Sequence, residues 1–121
     1  MRNLKFSYNW NRKLDCNAFT TLRLARPGYY AEGQDYYVKL KEQDRGLATL
    51  QRIKTLRLAQ LNDFIAYLDT GYGLDQTIDI IKKMYKNQNI NWETQELYLM
   101  LFVRVIPSRP EPNFKEPEVE E

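Results

Sequence analysis

The sequence predicts an α+β protein, in which a small mixed β-barrel carries two helices inserted before its last strand. Three observations lead to this fold class. Apolar and polar residues alternate over much of residues 3–58, which is the period of a strand. The period then changes to helical spacing until Tyr85. The most apolar run, residues 97–106, follows these helices and ends at Pro107, which indicates a central closing strand.

The amino-terminal half predicts four strands and one short helical turn. Leu4 and Phe6 alternate with polar residues in the segment 3–8, as expected for a half-buried first strand. Trp10 and Leu14 lie four residues apart, so a helical turn would place them on one face. Three further strands are expected at residues 19–24, 36–40 and 46–58. The apolar residues of the last one alternate imperfectly, and we therefore expect a bulge or a bend in it.

Two amphipathic helices are expected next. The first follows the spacing of Leu58, Leu61, Ile65 and Leu68 and stops at the Thr-Gly-Tyr-Gly turn. The second runs over residues 74–85, with lysines near its carboxyl end, where cations complement the helix dipole. Both apolar stripes must cover an opening or one side of the barrel, because no other surface is left to bury them.

Length and composition indicate one soluble domain. The chain has 121 residues, of which 43% are hydrophobic and 28% charged, and this length suits a single core. No apolar run reaches the roughly 18 residues of a membrane span, and the basic amino terminus lacks the apolar region of a secretory signal. We therefore expect a cytoplasmic protein without a membrane partner.

Residue usage restricts the chemistry. The chain has no histidine, and Cys16 is its only cysteine, which argues against a zinc site and against histidine-based catalysis. No metal or cofactor is predicted. We expect Cys16 to be a buried structural thiol rather than a nucleophile, because no histidine is present to activate it.

Charge divides the chain into a basic body and an acidic tail. Residues 107–121 hold four prolines and five glutamates and carry a net charge of −3; we expect this tail to be disordered. Residues 1–106, the predicted domain, carry +5. Such a charge suits a polyanionic partner, although solvated surface lysines would give the same total.

The strand at residues 19–24 contains the best candidate for a ligand site. Thr21 and Arg23 share one face of this strand, whereas the hydroxyl of Thr20 points to the other face. A hydroxyl and a guanidinium aimed the same way suit a phosphate or the edge of a nucleobase. The alternative is a solvated strand face with no ligand.

The order of elements and several junctions resemble the ASCH domain family of the PUA-like superfamily. The resemblance covers roughly residues 3–106. Residues 14–23 (Leu-Asp-Cys-Asn-Ala-Phe-Thr-Thr-Leu-Arg) resemble the family's turn and Thr-Ile-Arg-like strand, and residues 32–38 (Glu-Gly-Gln-Asp-Tyr-Tyr-Val) its Gly-Asp turn. Residues 58–85 resemble its helical insertion, and residues 92–103 its final strand.

The resemblance implies a cleft between barrel and helices that binds RNA, nucleotides or modified bases. Some relatives hydrolyse acetylcytidine with a lysine, a threonine and an acidic residue. By this resemblance the threonine is Thr21 and the acid is Asp69, whereas the lysine position holds Ala18. Lys13, five residues upstream, is the candidate replacement. Asp69 has an alternative interpretation as a carboxylate that interacts with the turn after the helix.

Four further residues are candidates for contacting the ligand: Thr20, Trp10, Tyr36 and Trp92. Tyrosine and tryptophan rings provide stacking platforms for bases, but on a small barrel they also serve as packing. We expect Trp92 either to wall the cleft or to plug the end of the barrel.

Three functions fit these features. The first is a module that binds RNA, a nucleoside or a nucleotide, and the missing lysine favours it. The second is an amidohydrolase acting on acetylated cytidine, with Thr21, Asp69 and Lys13 as its altered catalytic set. The third is a protein–protein interaction module without a small ligand.

Overall fold

The structure, a computed structural model, describes residues 1–105, and the predicted tail at residues 107–121 lies outside the described part. In this range four strands and two short 3-10 helices precede two α-helices and a last strand. In chain order the elements are β1 (Arg2–Phe6), a 3-10 helix called the Trp10 turn (Trp10–Asp15), β2 (Ala18–Leu24), β3 (Asp35–Leu40), β4 (Gln43–Arg57), a second 3-10 helix (Leu58–Gln60), α1 (Asp63–Thr70), α2 (Leu74–Met84) and β5 (Glu96–Arg104).

The strands form one mixed five-stranded sheet in the order β1-β3-β4-β5-β2. The β1–β3 pair is parallel, and the other pairs are antiparallel. The sheet curls into a half-barrel, with β1 and β2 as its outer strands. The predicted α+β class and the two helices before the last strand are confirmed.

The predicted bulge lies in β4. Its register with β5 shifts between Leu50 and Arg52, which leaves one extra residue on β4. A second shift occurs opposite β3, beside Gly46, whose φ is +86°. Bulges bend a strand and increase its twist, and the long strand β4 can therefore pair with β3 at one end and β5 along most of its length while the sheet curls.

The first helix differs from the prediction at its start and on its buried face. Asn62 caps α1 by accepting a hydrogen bond from the backbone N–H of Ile65 at 2.9 Å, so the helix begins at residue 63 rather than 58. Its buried residues are Ala66, Asp69 and Thr70, whereas Leu68 is 54% exposed. The expected apolar stripe is therefore wrong at Leu68, and a partly polar face points inward.

Two apolar clusters hold the fold together. One fills the half-barrel with aromatic rings, among them Phe19 and Phe102, stacked with centroids 5.6 Å apart. The other lies beneath the helices and includes Leu22 of β2 and Ile81 of α2. On α2 the apolar stripe points inward at Ile81, which is 4% exposed.

Candidate functional site

A cavity of about 610 Å³ lies where the outer strands β1 and β2 meet the helices. This volume is within the range of about 300–1,000 Å³ that is usual for small-molecule sites. The two outer strands, the Trp10 turn, both helices and the end of β3 contribute to its wall. Its lining includes Asn3, Lys5, Phe6, Ser7, Trp10, Lys13, Thr21, Leu22, Arg23, Lys39, Lys41, Glu42, Asp69, Thr70, Ile80, Ile81 and Met84.

Cations outnumber carboxylates in this lining. Five side chains are cationic and two are acidic, Glu42 and Asp69, which gives the wall a net formal charge of +3. Lys5 of β1 and Lys39 of β3 are register partners, and like charges placed side by side on neighbouring strands are destabilising. Asp44 lies 3.7 Å from Lys39 and compensates only part of this charge. The wall therefore favours an anionic ligand.

A buried ion pair lies at the wall of the cavity. The Nζ of Lys13 donates to Oδ1 of Asp69 at 3.0 Å, and these residues are 6% and 5% exposed. The hydroxyl of Thr20 donates to the same carboxylate oxygen at 3.1 Å. Burial lowers the pKa of Lys13, and the charge of Asp69 opposes this effect. The structure thus brings Lys13 and Asp69 together.

An unusual backbone turn places Lys13 there. The two preceding residues, Asn11 and Arg12, have φ values of 56° and 52°, a left-handed conformation that non-glycine residues seldom adopt. The side-chain amide of Asn11 donates to the carbonyl of Tyr67 at 3.3 Å. A hydrogen bond therefore links the Trp10 turn to the carboxyl end of α1, and the backbone turns Lys13 inward toward Asp69.

Arg23 and Thr21 meet as the strand pattern predicts. The Nε of Arg23 donates to Oγ1 of Thr21 at 3.2 Å, and the guanidinium carbon lies 4.6 Å from the ring centroid of Phe6. This distance suits a cation–π contact. The Nζ of Lys13 lies 5.6 Å from the same ring. The Phe6 ring therefore lies near two cations and helps to hold the Arg23 guanidinium at the cavity wall.

The two threonines have different positions in the structure. Thr21 lines the cavity, whereas the hydroxyl of Thr20 bonds Asp69 from the other face of β2. Thr20 therefore positions the carboxylate. Trp10 lines the cavity. Ala18 is exposed at the start of β2.

The remaining candidates lie elsewhere. Tyr36 is fully buried in the half-barrel, and its hydroxyl donates to the carbonyl of Tyr29 at 2.7 Å; its ring therefore serves as packing. Trp92 packs against the second apolar cluster, with its ring 6.3 Å from that of Tyr85. Cys16 is exposed, so the expectation of a buried thiol is wrong: the residue follows the Trp10 turn and precedes β2.

Sequence reasoning missed the cations of the first and third strands. Lys5 and Lys39 alternate with buried residues, which is also the pattern of an ordinary solvated strand face. Only the parallel pairing of β1 with β3 makes them neighbours. The only indication in the sequence was the net positive charge of residues 1–106, and a net charge does not show where the cations lie.

The fold and the site together define an α+β half-barrel with a cationic cavity at its outer strands. Comparison with protein-family models, with curated proteins and with solved structures finds no match. Among residues 1–105 no group of three or more His, Cys, Asp or Glu side chains is arranged to hold a metal. No helix in that range has the length and apolar character to span a membrane.

Proposed function

We propose that the cavity binds a nucleotide or a base of RNA, as the resemblance to PUA-like ASCH domains implies. The observation that carries the proposal is the lining of the cavity, where five cations surround a space of about 610 Å³. Arg23 is the main anion contact, because Thr21 and Phe6 already orient its guanidinium. Trp10 supplies an aromatic wall for the base.

The buried ion pair supports a ligand site more than a purely structural role. A buried pair contributes little net stability, since well-packed apolar residues of similar volume do as well or better. Lys13 and Asp69 nevertheless lie together at a cavity wall. Their position suits recognition of polar groups on a ligand that enters the cavity.

Titration of the protein with cytidine monophosphate, followed by calorimetry and NMR, tests the proposal. Hydrogen bonds to charged groups contribute about 1.5–3 kcal/mol, so we expect Arg23→Ala to weaken binding by about 10- to 150-fold. Arg52→Ala is the matched control, because Arg52 is exposed on β4 and does not line the cavity. Equal affinity of Arg23→Ala and the wild type would refute the assignment.

Amide hydrolysis of an acylated cytosine is a second candidate, favoured by the position of Lys13. The structure brings this lysine to within 3.0 Å of Asp69 at the cavity wall, although the family's lysine position is Ala18. In this proposal Lys13 first gives a proton to Asp69 across their hydrogen bond, and the neutral amine so formed takes a proton from water that Thr21 orients. The resulting hydroxide adds to the acyl carbon, the C–N bond breaks, and the proton passes to the departing amino group of cytidine.

Mass spectrometry of acetylcytidine incubated with the protein tests this second candidate. A general base contributes about a hundredfold to ten-thousandfold, so Lys13→Met should reduce release of acetate by that factor. Turnover that survives in both Lys13→Met and Thr21→Ala would exclude the proposed roles. Binding without turnover would leave the nucleotide-binding proposal standing alone.

A further inference from the structure

Three aromatic rings form a row beside the cavity. The ring centroids of Tyr8 and Trp10 are 4.6 Å apart, and those of Trp10 and Tyr72 are 6.2 Å apart. Tyr8 is 56% and Tyr72 is 44% exposed, and Trp10 is half-buried. We call these three residues the aromatic row. Large exposed rings grouped in this way typically mark a binding surface.

The aromatic row is continuous with the cavity. Trp10 lines the cavity and also a shallow groove that it shares with Tyr72, where Lys83 and Asp79 balance each other in charge. At the other end of the row, Tyr8 lines a second groove together with Lys41, which is also part of the cavity wall. A ligand that fills the cavity can therefore extend along the row without leaving the protein surface.

We propose that the row binds the bases next to the one in the cavity, so that the ligand is a single-stranded nucleic acid rather than a free nucleoside. This inference rests on the proposed function of the cavity. Bases stack on aromatic side chains whatever their sequence, and a basic groove beside them follows the phosphates. Here Lys5, Lys39 and Lys41 supply that charge.

The lining favours a single strand over a duplex. A base that enters a cavity must leave its stack and its pairing partner, and this requirement is met most easily in single strands. It also favours nucleic acid over a protein partner, because five cations line the same cavity wall as Trp10. One of them, Lys41, is shared with the groove of Tyr8, where Glu42 balances its charge. The exposed ring of Phe64 on α1, which is 76% exposed, lines neither groove and serves as a control.

Binding of cytidine monophosphate, an eight-nucleotide oligocytidine, the matching deoxy strand and the duplex with oligoguanosine tests the inference. We expect the single strands to bind at least about tenfold more tightly than the mononucleotide, since each stacked base adds about fivefold to 150-fold. Tyr8→Ala and Tyr72→Ala should each lose about fivefold or more for the oligonucleotide and leave the mononucleotide unchanged. Tyr8→Phe keeps the ring and should retain affinity, and Phe64→Ala should change nothing.

The outcomes separate the two proposals. Mononucleotide binding with no gain for the oligonucleotide, or with no effect of Tyr8→Ala and Tyr72→Ala, overturns the role of the aromatic row and leaves the cavity proposal intact. A duplex that binds as tightly as the single strand also overturns it. Failure of every probe overturns both proposals. Preference between the ribose and deoxyribose strands identifies the sugar, and thermal unfolding of each variant verifies that it is folded.

Discussion

Replacing Lys13 with methionine removes one partner of the buried ion pair and leaves the other charged. Asp69 is 5% exposed and accepts hydrogen bonds from Lys13 at 3.0 Å and from Thr20 at 3.1 Å. After the substitution, Asp69 keeps only one of these two donors, the neutral hydroxyl of Thr20. Loss of one partner of a buried pair lowers the free energy of unfolding by about 3–5 kcal/mol.

Removing both charges should restore most of this stability. The double variant Lys13→Met/Asp69→Leu replaces the pair with apolar side chains, an exchange that is often neutral or stabilising. We therefore expect its free energy of unfolding to lie within about 1 kcal/mol of the wild-type value. The melting temperature of Lys13→Met should be about 12–20 °C below that of the wild type, because each kcal/mol lost lowers it by about 4 °C in a domain of this size.

Urea unfolding followed by tryptophan fluorescence and circular dichroism measures these differences. Thr55→Val, on the exposed part of β4, is a control that alters a polar residue away from the pair. A double variant that loses at least as much stability as Lys13→Met would refute the reasoning. That result would show that Lys13 and Asp69 do not depend on each other. A ligand-binding role predicts in addition that the stable double variant loses affinity for cytidine monophosphate.

Three further predictions follow from the same geometry. Burial lowers the pKa of Lys13 below its ordinary value of 10.5, so between the lowered value and 10.5 the unfolded chain binds more protons than the folded protein, and stability should rise with pH. In that pH range the urea midpoint of the wild type should rise relative to that of Lys13→Met/Asp69→Leu, and a constant difference between the two midpoints would contradict the prediction. Gly71→Ala should destabilise the protein by about 1–2 kcal/mol, because Gly71 has a φ of +81° and a Cβ there would lie 3.1 Å from Oδ1 of Asn11. An unchanged melting temperature of this variant would contradict the prediction. Cys16 is exposed and should react with a thiol reagent in the folded protein as completely as in urea, whereas protection would show that it is covered.

Local patterns in the sequence were enough to predict most elements. The strand expected at residues 19–24 is β2 (Ala18–Leu24), and the apolar run before Pro107 is β5 (Glu96–Arg104). Thr21 and Arg23 meet because residues two apart share a face of a strand, which is a property of the backbone alone. The helix start was misplaced because the cap formed by Asn62 outweighs the apolar spacing before it.

Tertiary structure decided which side chains share the cavity. Lys13 and Asp69 are 56 residues apart in the chain, and their contact depends on a left-handed turn that no periodicity announces. The pairing of β1 with β3 makes Lys5 and Lys39 neighbours, and the inward curl of the sheet buries Tyr36. Periodicity determines which face of an element a residue occupies, but packing and strand register determine which faces meet. The sequence by itself therefore determined the elements and the Thr21–Arg23 pair, whereas the cationic cavity and its buried ion pair exist only in the folded chain.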